Sequence, residues 1–123
     1  MDNAESAEMY LEAIYVLSQK LETVRKIDVS KYLNYAKPSV TRGISLLEKR
    51  GFAEVDDTGS ITMTAEGKKL AKRIYDRHTT LTKVFMHLGV DEKTAADDAC
   101  RIEHFISDKT FNAIKKHLKT FEK

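Results

Sequence analysis

The feature that most constrains the fold is a change of hydrophobic period at Gly51. Before it, apolar residues recur at helical spacing. After it, the run FAEVDDTGSITMT alternates apolar and polar residues around an Asp-Thr-Gly turn. This alternation predicts two short strands, Phe52–Val55 and Ile61–Met63, joined by a turn at residues 57–60. A helix that leads directly into a β-hairpin is therefore the predicted centre of the architecture.

Two short helices precede the hairpin. The first is predicted at residues 26–33 and is followed by a tight turn at residues 34–37. The second begins at Pro38, because proline at the first helical position needs no amide hydrogen there, and Gly51 ends it. A helix pair joined by a tight turn and followed by a hairpin is a winged helix-turn-helix.

Apolar residues at helical spacing predict helices in the rest of the chain. These helices span residues 6–21, 64–88, 91–106 and 108–121, and Gly89 ends the longest one. The predicted fold class is mainly α. We expect a winged helix-turn-helix DNA-binding domain at residues 1–73 and a second, helical domain at residues 74–123.

Composition narrows the class of protein. The chain has 123 residues, of which 41% are hydrophobic and 33% charged, as in a globular protein. No run approaches the roughly 20 apolar residues of a membrane span, and the acidic, polar N-terminus is unlike a signal peptide. One cysteine cannot form an internal disulfide. We therefore predict a cytoplasmic protein with no membrane partner.

A basic segment coincides with the predicted helix pair. Residues 25–50 carry seven Lys or Arg against two acidic residues, although the net charge of the whole chain is only +2. Arg42 is the candidate for base readout, because its guanidinium matches the two acceptors of guanine. Short polar and basic neighbours are better suited to phosphates. The candidate DNA-binding residues are Lys37, Pro38, Ser39, Thr41, Arg42 and Ser45. Considered alone, this pattern equally well indicates an ordinary amphipathic helix with a polar outer face. The hairpin that follows the helix makes DNA binding the favoured interpretation.

Cys100, Glu103 and His104 form a possible ligand group. If the helix runs to residue 106, their spacing of i, i+3 and i+4 places them on one face, away from its apolar stripe. Taken alone, this motif is better explained as a solvated polar face.

Three further residues are unusual. Met9 and Glu12 lie one turn apart, opposite the apolar stripe of the first helix, and His78 borders the stripe of the long helix. Each has an ordinary explanation, an exposed methionine or a histidine at the core edge. Together with Cys100, they supply thioether, thiolate, imidazole and carboxylate donors, a set that suits a first-row transition metal.

Four motifs carry a resemblance over essentially the whole chain. They are AEMYLEAIYVL, KPSVTRGISLLEKRGFAEV, ITMTAEGKKLAKRIYDRH and DDACRIEHFISD. In their order and spacing, the chain resembles the diphtheria toxin repressor family of metal-dependent transcriptional repressors, including its manganese transport regulator branch. The resemblance implies a homodimer that binds palindromic operator double-stranded DNA when Fe²⁺ or Mn²⁺ is bound, and that represses metal-uptake genes. It also implies that residues 74–123 form a helical metal-binding and dimerisation domain.

The resemblance also implies a mixed ligand set. The residues that match the primary site of the iron branch are Met9, Cys100, Glu103 and His104. Those that match the manganese branch are Glu12, His78, Glu103 and His104. The manganese branch has carboxylates at the positions of Met9 and Cys100, so the sulfur donors here modestly favour Fe²⁺. The ancillary iron-branch site needs Glu and His at the positions of Thr82 and Ala96, so we do not expect that site.

The hypothesis is that metal ligation clamps the DNA-reading domain to the dimerisation domain. The clamp would hold two recognition helices about 34 Å apart, one turn of DNA. Phe105, Phe111 and Ile114 are the expected dimer contacts. An alternative is a metal-independent redox sensor that acts through Cys100. We do not expect an enzyme, because the sequence has neither H-E-x-x-H nor a Gly-rich phosphate loop.

Overall fold

The structure is a computed structural model that describes residues 3–121, with side chains from residue 6 to residue 121. Within that range it contains helices and one two-stranded antiparallel sheet, which confirms the mainly α winged fold. The elements are α1 (Asn3–Ser18), α2 (Lys26–Leu33), α3 (Lys37–Lys49), β1 (Ala53–Val55), β2 (Ile61–Met63), α4 (Ala65–His87), α5 (Glu92–Ile102) and α6 (Asp108–Leu118). The chain divides into two compact units inside α4, between Lys72 and Arg73. We call them the N-terminal unit and the C-terminal unit.

The N-terminal unit is built around α1 and the buried face of α3. The apolar residues Ala7, Leu11, Ile14 and Leu17 of α1 are buried, but the helix ends at Ser18, three residues before its predicted end, and Leu21 is exposed. Apolar burial of this kind contributes roughly 25 cal/mol per Å² of surface removed from water. The core residues of this unit are Ala7, Tyr10, Leu11, Ala13, Ile14, Leu17, Val24, Val29, Val40, Ile44, Leu47, Ala53, Ile61 and Ala71.

The turn between α2 and α3 contains residues that tolerate special backbone angles. Asn34 has a left-handed conformation, with φ of 59°, and its amide bonds the Ser30 carbonyl at the end of α2. Asparagine adopts this conformation more easily than most residues. Pro38 lies in the first turn of α3, as predicted, although the helix begins one residue earlier. The two helices are thereby joined without a long loop.

The wing is a short hairpin whose register pairs Ala53 with Met63 and Val55 with Ile61. Ile61 also bridges Val24 on its other side, where the Ile61 amide nitrogen donates to the Val24 carbonyl oxygen at 2.8 Å. Gly59, with φ of 85°, supplies the left-handed residue of the turn. The first strand begins at residue 53, one residue later than predicted.

The junction between wing and α4 requires a glycine. A Cβ on Gly67 would lie 2.0 Å from the carbonyl oxygen of Phe52, so no larger residue fits without moving the backbone. The hydroxyl of Thr64 accepts a hydrogen bond from the Gly67 amide at 3.0 Å and donates one to the Gly51 carbonyl at 2.6 Å. Thr64 therefore caps α4 even though the partner residue of a full capping box is missing.

The C-terminal unit comprises the rest of α4 together with α5 and α6. Asp91 and Ser107 each accept a hydrogen bond from a backbone amide three residues later, which caps α5 and α6. The predicted end of α4 at residue 88 is wrong by one residue, because the helix ends at His87 and Leu88 is 75% exposed. The predicted end of α5 at residue 106 is also wrong. The helix stops at Ile102, since a turn is needed before α6 can start.

One expected dimer contact is incompatible with this packing. Phe111 is buried within the C-terminal unit, with the guanidinium of Arg77 5.5 Å from its ring centroid and the Lys115 ammonium 5.9 Å away. The ring therefore stabilises the unit itself, as an aromatic face does beneath a cation. Phe105 is exposed and Ile114 is half-buried.

Candidate DNA-reading surface and metal-ligand residues

The helix α3 has one buried face and one polar face, as predicted. Val40, Ile44 and Leu47 are fully buried. Of the six candidate DNA-binding residues, only Ser39 is half-buried, and the other five are exposed. The Arg42 guanidinium donates to the Ser39 hydroxyl at 3.3 Å. The polar face is therefore available for a nucleic-acid partner, and the guanidinium of Arg42 is held by a residue one helical turn earlier.

The ring of Tyr10 fixes the position of α3 on α1. Its hydroxyl donates to the carbonyl of Ser39 at 3.1 Å, and the ring lies against Gly43 so closely that a Cβ there would be 2.3 Å from a ring carbon. Burial raises the pKa of the Tyr10 hydroxyl, a nearby Tyr35 adds to the rise, and Arg42 opposes it. The sequence pattern marked Tyr10 only as part of a helix, although a glycine inside α3 was a signal that another group approaches closely.

The turn of the wing is held by Asp56. One carboxylate oxygen accepts hydrogen bonds from the hydroxyl and amide of Thr58 and from the amide of Ser60, at 2.7 to 3.0 Å. These bonds, the Thr58 hydroxyl first, lower the pKa of Asp56. Arg25, ahead of α2, donates to the Thr58 carbonyl at 3.3 Å. The wing tip is thus tied to the helix pair by a basic residue that the sequence did not single out.

Glu103 is the most unusual ionisable residue of the C-terminal unit. Its side chain is 0% exposed, and one carboxylate oxygen lies 3.2 Å from Nδ1 of His78. The other oxygen, Oε2, is buried and has no hydrogen-bond partner among the described residues. A carboxylate buried this way is costly unless a cation or donor completes its environment. The pair Glu103 and His78 therefore has the character of an incomplete polar site.

Cys100, Glu103 and His104 differ in burial, and the structure brings the ligand atoms of Glu103 and His104 within 4.8 Å of each other. Helix α5 ends at Ile102, so Glu103 is its C-cap and His104 lies in the following turn. Cys100 is exposed, Glu103 is buried, and His104 is half-buried. The three residues are neighbours in sequence but do not share one solvated helical face, which also removes the interpretation of Glu103 as a solvated residue.

Arg77 holds the turn that contains Glu103 and His104. Its guanidinium donates to the carbonyl of Glu103 at 3.0 Å and to that of Ile106 at 2.7 Å, and it forms an ion pair with Asp108. The carbonyls at the end of a helix lack partners within the helix, so a cation at this position satisfies them. Arg77 was not among the predicted site residues, although the sequence contains a signal for it. It lies between Ile74 and Leu81 at the spacing that places a residue on the buried side of α4.

Met9 and Glu12 lie one turn apart on α1, in the N-terminal unit. Met9 is half-buried and packs against the core, so it does not lie on the opposite face as predicted. Its sulfur accepts a hydrogen bond from the hydroxyl of Tyr35 at 3.4 Å. Glu12 is half-buried.

The donor residues fit a divalent transition metal on two grounds. The buried Oε2 of Glu103 has no hydrogen-bond partner among the described residues and can be completed by a cation or a donor, and the imidazole of His78 lies on the other oxygen of the same carboxyl group. The candidate set also combines hard oxygen donors with nitrogen and soft sulfur donors, which suits Fe²⁺ and, with less weight on sulfur, Mn²⁺.

Comparisons with protein families match both parts of the chain. The iron dependent repressor N-terminal DNA binding domain matches residues 2–60. The iron dependent repressor metal binding and dimerisation domain matches residues 64–123. The two matches are consecutive and leave three residues between them.

Individual relatives agree with that match. The chain is 34% identical to an uncharacterized HTH-type transcriptional regulator of Methanocaldococcus jannaschii, over 97% of each chain. It is 31% identical to the HTH-type transcriptional regulator MntR of Lysinibacillus sphaericus, over 95% of this chain and 84% of the relative. The solved structure of the manganese regulator SloR superposes with a TM-score of 0.83 at 24% identity, over 92% of this chain. This chain spans only 53% of SloR.

The sequence contains no predicted membrane span. Among the described residues, no helix is long and apolar enough to cross a membrane.

Proposed function

Because this chain belongs to the iron dependent repressor family of transcriptional regulators, we propose that it is a metal-dependent repressor. It binds palindromic operator DNA as a homodimer when Fe²⁺ or Mn²⁺ is bound, and it represses genes of metal uptake. Residues 1–73 are the proposed DNA-binding domain, and residues 74–123 are the proposed metal-binding and dimerisation domain. The observation that carries the proposal is the fully buried carboxylate of Glu103, with one oxygen on His78 and the other unpartnered among the described residues.

The proposed ligands come from several segments of the chain. They are Met9, Glu12, His78, Cys100, Glu103 and His104. When bound, the cation supplies the positive charge that neutralises buried carboxylate and accepts lone pairs from nitrogen and sulfur. Glu103 is poised for this role, because its charge is already desolvated and costs free energy until it is paired. Support for the full set comes from the donor types and from the family resemblance.

Ligation by residues of both units couples metal binding to DNA binding in this proposal. The coupling is reciprocal by thermodynamic linkage, so operator DNA must tighten metal binding by the same factor by which metal tightens DNA binding. The exposed face of α3 reads DNA, with Arg42 at base edges and Lys37, Ser39 and Thr41 at phosphates.

The choice between Fe²⁺ and Mn²⁺ as the physiological metal is a separate part of the proposal. The family is described as iron dependent, and the structural neighbour SloR is described as a manganese regulator. We propose Fe²⁺ first, because Met9 and Cys100 offer soft sulfur donors. Replacing Met9 by Asp should shift the response toward Mn²⁺, whereas Met86→Asp, at an exposed position on α4, should leave the metal order unchanged. An unchanged order in Met9→Asp would refute the ligand role of Met9.

The direct test is anaerobic fluorescence anisotropy with the DNA upstream of the gene. Chelated protein is titrated with Fe²⁺, Mn²⁺ and Zn²⁺ separately at one salt concentration, because salt alone changes affinity by orders of magnitude. We expect DNA binding to require metal in the wild type and in Glu54→Gln, which changes an exposed carboxylate on the wing. Glu103→Gln should bind the DNA weakly both with and without metal, because metal no longer activates it.

Equal DNA binding with and without metal would refute the proposal. That result would favour the redox-sensor alternative, in which the exposed thiol of Cys100 is the reactive group. That alternative also predicts regulation that survives Glu103→Gln and is abolished by an oxidant. Neither the family matches nor the relatives support it.

Base and phosphate roles on α3 are separable. Arg42→Ala should cost about 1–3 kcal/mol at the operator and relax the preference for it over unrelated DNA. Lys37→Ala should weaken all DNA similarly and lower the salt slope by about one. Equal losses on operator and unrelated DNA for Arg42→Ala would contradict the base-reading role.

A further inference from the structure

The sulfur of Met9 is engaged by a residue outside the proposed ligand set. The Tyr35 hydroxyl donates to Met9 Sδ at 3.4 Å, within the N-terminal unit. Tyr35 lies on the turn between α2 and α3. Its amide donates to the Ser30 carbonyl at 3.1 Å, and its carbonyl accepts from the Ser30 hydroxyl at 2.6 Å. The hydroxyl is therefore presented from a fixed backbone and not from a loose loop.

The same ring belongs to a chain of contacts that reaches α3. Tyr35 meets Tyr10 edge to face, with ring centroids 6.2 Å apart and planes at 75°. Tyr10 in turn donates to the carbonyl of Ser39 in the first turn of the helix. Met9, Tyr10 and Tyr35 line one groove of about 820 Å³, and Tyr35 is 41% exposed. Met9 therefore borders the open groove on one side and packs against the core on the other.

We propose that Tyr35 is a positioning residue that holds the Met9 thioether in the metal-free protein and thereby opposes its use as a metal ligand. Thioether sulfur is a weak acceptor, and a sulfur that donates a lone pair to a cation has less electron density for a hydroxyl proton. The positive end of the Tyr35 O–H bond would also face that cation. The hydrogen bond and metal ligation at Met9 are therefore antagonistic.

This inference rests on the proposed ligand role of Met9, and a double-mutant cycle separates the two. Fe²⁺ affinity is measured anaerobically by competition with a chelator of known affinity. The proteins are the wild type, Tyr35→Phe, Met9→Leu and the double variant. Tyr32→Phe is the matched control, since it removes a hydroxyl from an exposed tyrosine three residues earlier.

Tyr35→Phe should bind Fe²⁺ about threefold more tightly than the wild type, near the lower end of what one neutral hydrogen bond contributes. Tyr32→Phe should match the wild type. In the Met9→Leu background, removing the Tyr35 hydroxyl should have no effect, because the coupling requires the sulfur.

A second measurement reports on the metal-free protein directly. With ¹³C-methyl-labelled methionine, the Met9 methyl resonance should move in Tyr35→Phe and stay in place in Tyr32→Phe. A purely structural role for Tyr35 would disturb the neighbouring core signals without a sulfur-dependent change in metal affinity.

The possible outcomes are distinct. If Met9→Leu binds Fe²⁺ as the wild type does, the sulfur is not a ligand, and both the proposed ligand role and this inference are overturned. If Met9→Leu weakens binding while Tyr35→Phe leaves it unchanged or weaker, the ligand role stands and this inference alone is overturned.

Discussion

Replacing Arg77 by methionine tests how the turn after α5 is held. The guanidinium is nearly buried and donates to the carbonyls of Glu103 and Ile106, and it pairs with Asp108. Methionine keeps the length and the apolar stem of the side chain but removes every donor. It also removes the buried charge, so no unpaired cation is left behind.

The magnitude depends on how each partner of Arg77 fares without it. Asp108 is 70% exposed, so water replaces the guanidinium at its carboxylate and little is lost there. The carbonyls of Glu103 and Ile106 lose their side-chain donor, and an unsatisfied buried group costs about 1–3 kcal/mol. The free energy of unfolding should therefore fall by roughly 2–4 kcal/mol, with part of the cost recovered where water reaches a carbonyl.

The assay compares Arg77→Met with Arg101→Met in urea unfolding followed by circular dichroism. Arg101 is 79% exposed in an ion pair of 3.5 Å with Asp98, so its loss should cost less than about 1 kcal/mol. Amide hydrogen exchange of α5 and α6 locates the effect in the C-terminal unit. The chelator competition should also show Fe²⁺ affinity about tenfold weaker, as when a group that orients a ligand is lost.

Arg77→Met within about 0.5 kcal/mol of Arg101→Met would refute this reasoning, because the carbonyls would then be satisfied without the guanidinium.

Three further perturbations test other parts of the fold. Gly43→Ala should destabilise the protein by about 1–3 kcal/mol, measured by urea unfolding, because the new Cβ would overlap the buried ring of Tyr10. Tyr10→Leu should relieve most of that added cost. Ser107→Ala should lower stability by about 1 kcal/mol in the same assay, because it removes the N-cap of α6. A hydrogen bond from the Thr94 amide is the main cause of the lowered pKa of Asp91. The stabilisation by its carboxylate is therefore complete above about pH 3.9, the ordinary pKa of aspartic acid, and is lost as pH falls through the lower folded pKa. Asp91→Ser, which caps without titrating, should lose that dependence in acid unfolding, and an unchanged dependence would contradict the assignment.

The local elements could be predicted because short-range chemistry determines them. Pro38 favours the first turn of a helix, where no amide hydrogen is needed, and the alternation around Gly59 favours a hairpin. Element ends were less accurate, since Leu21 and Leu88 continue an apolar spacing past helices that have already stopped. Periodicity records which residues would be buried if a helix continued. It does not record where the next element must begin.

One part of the candidate site could be predicted from the sequence and another part could not. The polar face of α3 is a consequence of periodicity alone, so its exposed residues were predictable. The motif around Glu103 identified the residue type, but its spacing suggested a solvated face, whereas the structure buries Glu103 beside His78. The C-cap of a helix depends on the segment that comes after it, and neither the turn nor the guanidinium of Arg77 is visible in the spacing.

Residue order alone accounts for the order and type of the elements, the basic polar face of α3 and the kinds of donor atom available to a metal. Those properties depend on neighbours within about one helical turn. Three features instead require the folded chain: Glu103 is desolvated, Arg77 satisfies the end of α5, and Tyr35 bonds the sulfur of Met9. Each of these contacts joins residues at least 25 positions apart in the chain, where only the packing of separate helices can bring donor and acceptor together.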